Sequence, residues 1–595
     1  MMNRIFLIVL LFSTAVSLPA QNAGELVTGR GGMVVSASAE ASAVGADILR
    51  RGGNAVDAAV AVGFTLAVTY PSAGNIGGGC YIVLRMADGR EAAIDARETA
   101  PAAAHRDMYF DSLGRMHPTR SLVGPLAAGV PGSVDGLLTA LDRFGTMSRE
   151  EVMAPAIHLA RDGFPLHPRL ARHMNIFRER FSRFPQTLHK FVNGEEGRRA
   201  GPAARPRSGS RKESTSPEEM IGNSPPTPWS PADIWRQPDL ARTLRRISDQ
   251  GRDGFYRGET ARLIAGAMRQ DGGLITERDL ASYHSIVREP LRGQYRGYDI
   301  LSMPPSSSGG FALLQMLGML ERRRIALPEG GDAATAHYMA EAMRRAFADR
   351  AAFLGDPAFT DIPLGTLLSD AYLDSLYNSI DPERATPSTE IRSGLLPVPE
   401  GTHTTHYSIV DADGNAVSVT TTINSSFGSL YVVPGAGFLL NNEMDDFAAQ
   451  PGVPNQFGLL GSEANSIQPG KRMLSSMTPT IVMRDGKVFM VTGSPGGSRI
   501  ITTVLQSILH VVDAGRTVRE AVTLPRMHHQ WYPDRIIYED GAFDAVTRRA
   551  LERMGHECRR DSEFGRCDAI VVDNNNNIIT GCSDPRGYGM AVAVE

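Results

Sequence analysis

Cysteine is scarce. Four residues in 595, Cys80, Cys558, Cys567 and Cys582, are too few for a disulfide framework. Cys567 and Cys582 flank a hairpin pattern, CDAIVVD-NNNN-IITGC. They stand opposite one another if the tip is Asn574-Asn575; other loop lengths separate them and leave free buried thiols. An excess of either charge is also missing. The net charge of −4 gives no reason to expect nucleic acid or a polybasic membrane contact. The longest apolar run is at the N-terminus, and no other segment approaches the length of a membrane span. Arg4 precedes the unbroken run Ile5–Phe12, and Ser13–Ala20 follow with small residues. This is the form of a secretory signal peptide over residues 1–20, cleaved after Ser17 or Ala20. A membrane anchor is the competing reading, but the run is too short to span a bilayer. No cysteine closely follows it, so a lipidated end is not indicated. The mature chain is expected to be exported, periplasmic or secreted, without a membrane contact after signal cleavage.

What remains is ordinary for a globular protein. Hydrophobic residues make up 42% and charged residues 21%, enough for an ample core, and the length favours two domains or two subunits. No internal repeat is visible. One stretch departs from this composition. Residues 195–228 contain GRRAGPAARPRSGSRKESTSPEE and NSPPTP, with almost nothing to bury, and are expected to form a disordered insert. A basic interaction tail is the alternative.

Apolar spacing predicts helices over Ala39–Arg51, Ala55–Val68, Ser133–Phe144, Arg149–Arg161, Pro168–Phe184, Pro238–Gly251, Gly258–Asp271, Ala334–Phe353 and Arg499–Ala514. The long helix 334–353 carries Arg344, Arg345 and Arg350. Strands are expected at Cys80–Met86, Leu291–Tyr295, Tyr298–Ser302 and Val488–Thr492.

Three glycine-rich segments invite a phosphate reading. PSAGNIGGG, Pro71–Gly79, is followed by a strand and not by a helix, so it fits a turn with close backbone approach. PPSSSGG, Pro304–Gly310, opens a helix and could bind an anion; simple capping is the preferred reading. TGSPGGSR, Thr492–Arg499, joins a strand to a helix but lacks the lysine and the length of a P-loop. Backbone N–H groups of Gly496 and Gly497 suit an oxyanion hole better, because glycine lets a substrate approach and the helix terminus adds positive potential.

Four candidate clusters remain. Arg97, in IDARETAP, offers a guanidinium fork that suits a carboxylate, or a salt bridge with Glu98 or Asp95. Glu443 and Asp446, in LLNNEMDDF, could be a glycosidase acid and base or metal ligands, although no histidine or third carboxylate stands at a convincing spacing. His528-His529 could suggest a metal, but adjacent side chains diverge and no third ligand is evident. No metal and no cofactor are expected. The last cluster is Thr404–Phe427, TTHYSIVDADGNAVSVTTTINSSF. Asp413-Gly414 is a hairpin signal. A three-residue loop, Ala412–Gly414 with Gly414 left-handed, places Thr404 opposite Thr422, Tyr407 opposite Val419 and Ile409 opposite Val417. The result is one buried apolar face and one hydroxyl-lined face, with Thr404 leading the strand. A threonine hydroxyl is a poor nucleophile unless a base adjoins it, and its own α-amine can serve once the chain is cut before it. Glu400–His403 is a short polar lead-in suited to such a cut.

The runs TTHYSxVDxDGNAVSxT, NNEMDDF, LSSM, TGSPGGSR and RMHHQW together resemble the γ-glutamyltranspeptidase family, from about Gly29 to Arg586 and lapsing over the insert. The resemblance implies an α/β fold of the N-terminal-nucleophile type, a four-layer αββα sandwich of two autoprocessed subunits, 21–403 and 404–595. It implies a cut between His403 and Thr404, with Thr404 as nucleophile, Thr422 orienting its hydroxyl, and Gly496 and Gly497 as oxyanion donors. Arg97, Ser475 and Ser476 would take the substrate α-carboxylate, and Asn424, Glu443 and Asp446 its α-ammonium. Ala448–Gln468 would form a mobile lid. In it Phe457 stands where bacterial relatives often carry a tyrosine, which keeps an aromatic gate and removes a hydroxyl. The implied activity is cleavage of γ-glutamyl amides such as glutathione, with transfer to water, amino acids or dipeptides. A glutaryl or cephalosporin-type acylase and a processed, inactive binding protein are the rival readings. The intact amine-binding set argues against the first and the complete nucleophile and oxyanion set against the second.

Overall fold

A computed structural model describes residues 23–117, 119–193, 228–391, 404–448 and 462–595. The expected signal peptide, the insert apart from Pro228, His403 and Phe457 lie outside the described residues.

Two seven-stranded sheets carry the architecture. The first runs in space Met590–Val594, Gly32–Ser36, Thr405–Asp411, Ala416–Thr422, Gly79–Arg85, Glu91–Ala96, Ile286–Arg288. The second runs Val27–Gly29, Ile578–Ser583, Asp568–Asp573, Lys487–Thr492, Thr480–Arg484, Tyr298–Ser302, Leu291–Tyr295. Every pairing within them is antiparallel. The sheets face each other, and Thr405–Asp411 and Ala416–Thr422 touch Lys487–Thr492 across the gap. Helices Ala55–Thr69 and Ser133–Phe144 cover the outer face of the first sheet; Gly309–Glu321 and Val518–Thr523 cover that of the second. This is the expected αββα sandwich. Strands from before and after Thr404 are interleaved in both sheets, so neither part of the chain holds a complete sheet of its own.

Apolar side chains divide into two main cores. One lies between the first sheet and the helices Ala39–Arg50, Ala55–Thr69 and Ser133–Phe144. The other spans both faces of the second sheet, reaching the inner face of the first at Met33, Val35, Tyr81 and Val83. Helix Ala55–Thr69 is buried along its whole length, which small, alanine-rich side chains permit. Asn54 and Asp57 form a capping box at its start. Asp57 also accepts from the Thr146 and Met147 N–H groups and the Thr146 hydroxyl.

The hairpin has the expected register: Tyr407 faces Val419, Ile409 faces Val417 and Thr405 faces Thr421. Asp411 N–H donates to the Asn415 carbonyl, leaving the three-residue loop Ala412–Gly414, and Gly414 has φ +87°. The hydroxyl-lined face is buried as well, because it packs against the second sheet. Ser408 Oγ donates to the Asp568 carbonyl (2.9 Å) and Ser418 Oγ to the Thr492 carbonyl (3.1 Å).

One expectation changes, and one open alternative is decided. The helix predicted over Pro168–Phe184 breaks into Pro168–Ile176 and Arg178–Phe181, with Phe177 and Phe181 turned onto Phe427. The cysteines Cys567 and Cys582 are free. Asp573 pairs with Ile578, so the loop holds four residues and Cys582 faces Ala569. Cys567 is therefore displaced along the ladder, the separation that any other loop length was expected to impose.

Candidate active site

The leading end of the hairpin forms the floor of a tight, largely buried pocket. Its lining brings together Arg97, Thr404, Thr422, Asn424, Glu443, Asp446, Ser475, Ser476 and Gly497, with Arg350, Leu474, Met477 and Ile500. Gly496 is the one expected member among the described residues that is not in the lining.

Each side chain is placed by a local device. Thr404 lies one step beyond the Thr405–Thr421 pair, so the ladder brings it opposite Thr422. The Thr422 hydroxyl accepts from the Asn424 N–H (2.8 Å). Asn424 takes a left-handed φ of +70°, and its amide donates to the Asn442 carbonyl (2.9 Å). The segment 439–446 is pinned by two further amides. Asn441 Nδ2 donates to the Gly77 and Gly129 carbonyls (2.8 and 2.9 Å), and its Oδ1 accepts from the Glu443 N–H (3.0 Å). Asn442 Oδ1 accepts from the Ser425 N–H (3.0 Å). The glycines of PSAGNIGGG are what let this segment close in. A Cβ on Gly77 would sit 2.1 Å from the Leu439 carbonyl oxygen, and one on Gly78 would sit 2.1 Å from that of Thr422.

The glycine loop before helix Arg499–Val512 has positive φ at both Gly496 (+137°) and Gly497 (+58°), conformations that favour glycine. Across the pocket, the serines of PPSSSGG do more than cap: Ser307 Oγ accepts from the Gly309 N–H (3.1 Å) at the start of helix Gly309–Glu321. Ser308 makes no side-chain cap; its hydroxyl donates to the Ser475 carbonyl (2.6 Å), and Ser307 Oγ donates to that of Met477 (2.6 Å). The loop thus fixes the backbone of LSSM.

Charge is concentrated here. Arg97 is buried and forms ion pairs with Glu443 (2.6 Å), Glu98 (3.4 Å) and Asp446, and its Nε donates to the Met473 carbonyl (3.2 Å). The salt-bridge reading of Arg97 holds in its pair with Glu98, and the same guanidinium lines the pocket. Burial works against its charge, but Glu443, Glu98 and Asp446 outweigh that and hold the guanidinium protonated. Burial likewise pushes all three carboxyls above their ordinary range against the pull of Arg97; Glu98 reaches about 7.

Sequence reasoning missed Asn441 and Asn442 as positioning amides, and Arg350. For the asparagines a signal existed, since NN lies inside a motif already singled out. For Arg350 there was only its place on a long helix.

The histidine pair at 528–529 has other work. His528 Nδ1 bonds Thr502 Oγ1 and Nε2 bonds Gln530 Oε1, both at 2.8 Å. The cluster His337, Glu341 and His556 has ligand-like spacing. Its histidines bond each other (2.8 Å), and Arg344 and Arg345 both pair with Glu341, which opposes a cation.

Antiparallel sheets stacked between helices, with a threonine leading a central strand into a pocket, place the molecule among N-terminal-nucleophile hydrolases. Comparison with known proteins narrows the class. The family model Gamma-glutamyltranspeptidase matches residues 41–208 and 213–594, and the chain belongs to the γ-glutamyltranspeptidase family. The match continues into the insert from both sides, so the interruption is narrower than the composition of 195–228 suggests. The glutathione hydrolase proenzyme of Escherichia coli (strain K12) is 45% identical over 94% of this chain and 91% of its own. Among solved structures, cephalosporin acylase from Bacillus halodurans aligns at TM-score 0.79 and 25% identity, covering 99% of this chain and all of that one. Helicobacter pylori γ-glutamyltranspeptidase aligns at TM-score 0.53 and 38% identity, covering 60% of this chain and 94% of that one.

Proposed function

We propose that the protein is a self-processing γ-glutamyltransferase and glutathione hydrolase, with Thr404 as its nucleophile. One observation carries the reading. A threonine, a left-handed glycine beside a helix N-terminus, and a buried set of opposite charges share one pocket. Such a set suits the zwitterionic head of an amino acid, and the glutathione hydrolase relative supplies the substrate class.

Processing comes first. Thr404 Oγ attacks the carbonyl carbon of His403, the peptide C–N bond breaks, and the nitrogen becomes the α-amine of Thr404. Water then hydrolyses the ester, leaving a carboxylate on His403 and restoring the hydroxyl. The products are a large subunit ending at His403 and a small subunit, Thr404–Glu595. In turnover the α-amine takes the Oγ proton as Oγ attacks the γ-carbonyl. Gly496 and Gly497 N–H groups hold the oxyanion. The γ-amide bond breaks, the ammonium returns its proton to the leaving amine, and a γ-glutamyl ester remains. Water, an amino acid or a dipeptide takes the glutamyl group.

The pocket encloses only about 20 Å³, less than a glutamyl group requires. Binding therefore opens the Arg97 ion pairs. The substrate ammonium takes the place of Arg97 between Glu443 and Asp446, beside Asn424, while Arg97 turns to the α-carboxylate with Ser475 and Ser476. Residues 1–20 fit export to the periplasm or beyond, and among the described residues no helix is long and apolar enough to cross a membrane.

The test is an assay with a γ-glutamyl anilide, with and without glycylglycine, on the wild type and on Thr404→Ala. The wild type should give two chains, the smaller beginning Thr-Thr-His-Tyr, and release aniline faster with glycylglycine. Thr404→Ala should remain one inactive chain. Normal cleavage of that variant would assign the cut to another residue and end the proposal.

A further inference from the structure

Seven arginines are buried among the described residues: Arg97, Arg344, Arg345, Arg350, Arg472, Arg499 and Arg526. Six of them have a carboxylate at ion-pair distance. Arg350 does not. It stands in the last turn of helix Ala333–Phe353, 4% exposed. Its hydrogen bonds go to neutral hydroxyls, from Nε to Ser308 Oγ (2.8 Å) and from Nη2 to Ser476 Oγ (3.4 Å). Asp446 attracts it from a greater distance, but that carboxylate is already paired with Arg97.

A buried guanidinium without a counter-charge is costly, because desolvation is not repaid by a partner. Burial pushes its pKa down only to about 10, so it stays charged at neutral pH. The cost is understandable if an anion arrives during function. Arg350 lines the pocket that holds Thr404, so the anion would come with the substrate. Its side-chain contacts fix where on the substrate. They run to Ser476, and through Ser308 to the Ser475 carbonyl, which is the LSSM edge of the pocket and not the glycine loop. Arg97 is engaged by three acids and by Met473, whereas Arg350 has no acidic pair to break first.

We propose that Arg350 is a second guanidinium receptor of the pocket, which binds the substrate's α-carboxylate directly alongside Ser476. The inference rests on the γ-glutamyl reading above and adds a specificity-determining residue to it. The alternative is that Arg350 merely holds Ser308 and Ser476 in place.

Two substrates separate these roles: γ-glutamyl 4-nitroanilide and 4-aminobutanoyl 4-nitroanilide, which keeps the amine and lacks the carboxylate. For Arg350→Gln, kcat/KM on the first should fall about thirtyfold or more, as for one partner removed from a buried charge pair, mostly through KM. On the second it should change less than about threefold, within ordinary packing effects. Arg350→Lys, which keeps charge and loses the fork, should lie between. Inhibition constants for glutamate and 4-aminobutanoate give the same ratio if the second anilide turns over too slowly. Cleavage into two chains reports folding, and if Arg350→Gln is not cleaved the lysine variant decides by the same ratio. Equal losses on both substrates would reduce Arg350 to a scaffold role and overturn the proposal while leaving the function intact. A wild type inactive on γ-glutamyl 4-nitroanilide would overturn the function, and this inference with it.

Discussion

Arg97 carries one positive charge against the carboxyls of Glu98, Glu443 and Asp446. A ligand ammonium entering beside Glu443 and Asp446 supplies the cation that the cluster is short of. A glutaryl group brings none and leaves both carboxylates desolvated and unpaired. A site built around a polar group rejects an analogue lacking it by roughly 10⁴–10⁵. With water rescuing one carboxylate, kcat/KM should still favour γ-glutamyl over glutaryl anilide by at least about a hundredfold. Glu443→Ala should narrow that gap by weakening the glutamyl substrate far more than the glutaryl one. Equal wild-type values would make the enzyme an acylase. Arg97→Lys keeps the charge and loses the fork. It should cost roughly 1.5–3 kcal/mol, about ten- to a hundredfold in kcat/KM, mostly in KM, with self-cleavage preserved. Unchanged steady-state kinetics would remove Arg97 from the site.

At the scale of elements, the glycines on either side of the hairpin make opposite demands. Gly414 has open space around its Cβ position and a left-handed φ, so Gly414→Ala should cost only about 1–2 kcal/mol of backbone strain and leave kcat/KM unchanged. Gly78→Ala drives a methyl into the Thr422 carbonyl. Overpacking of this kind costs about 1–3 kcal/mol or more, and it displaces Thr422, so melting temperature and kcat should both fall. Activity retained in full by Gly78→Ala would show that the close approach does not position the site. The hairpin was legible because its signals are local: a turn dipeptide and an alternation of polarity set the register without help from the rest of the chain. Helices with strong caps were legible for the same reason. The burial of the hydroxyl face was not, since it depends on the second sheet, whose strands lie far away in sequence. Arg350 was hidden likewise. Nothing within its helix distinguishes it from Arg344 or Arg345, and only the packing of that helix against Ser308 and Ser476 turns it toward the pocket.

For the whole molecule, buried histidines set the acid limit. Burial pushes His406, His528 and His556 down to about 3, and His510 and His529 to about 4. An unfolded histidine takes its proton near pH 6.5. The stability these residues contribute is therefore full above about pH 6.5 and is lost as pH falls toward 3–4. Glu98 and Asp568, raised by burial to about 7, act with the opposite sign: their contribution is present below the ordinary carboxylate range and is lost as pH rises through 7. His167, His173 and His337 are lowered as well, and Asp411, Glu443, Asp446 and Asp513 raised, so among the described residues eight histidines act against six carboxyls and the acid limb is the steeper. The urea midpoint should drop between pH 7 and pH 5, and Asp568→Asn, which removes an opposing group, should steepen that drop. A midpoint rising on acidification would contradict the buried, neutral histidines.

The interleaving of the sheets has a consequence for mass action. Thr405–Asp411 lies between Gly32–Ser36 and Ala416–Thr422, while Met590–Val594 closes the far edge of Gly32–Ser36. After a cut before Thr404 the two chains share every layer of the core, so they cannot separate while folded, and dissociation and unfolding become one event. Unfolding the precursor yields one particle; unfolding the cleaved form yields two. Hydrolysis of a single peptide bond thus makes stability depend on dilution. The melting temperature of the processed protein should rise with its concentration, and that of Thr404→Ala should not.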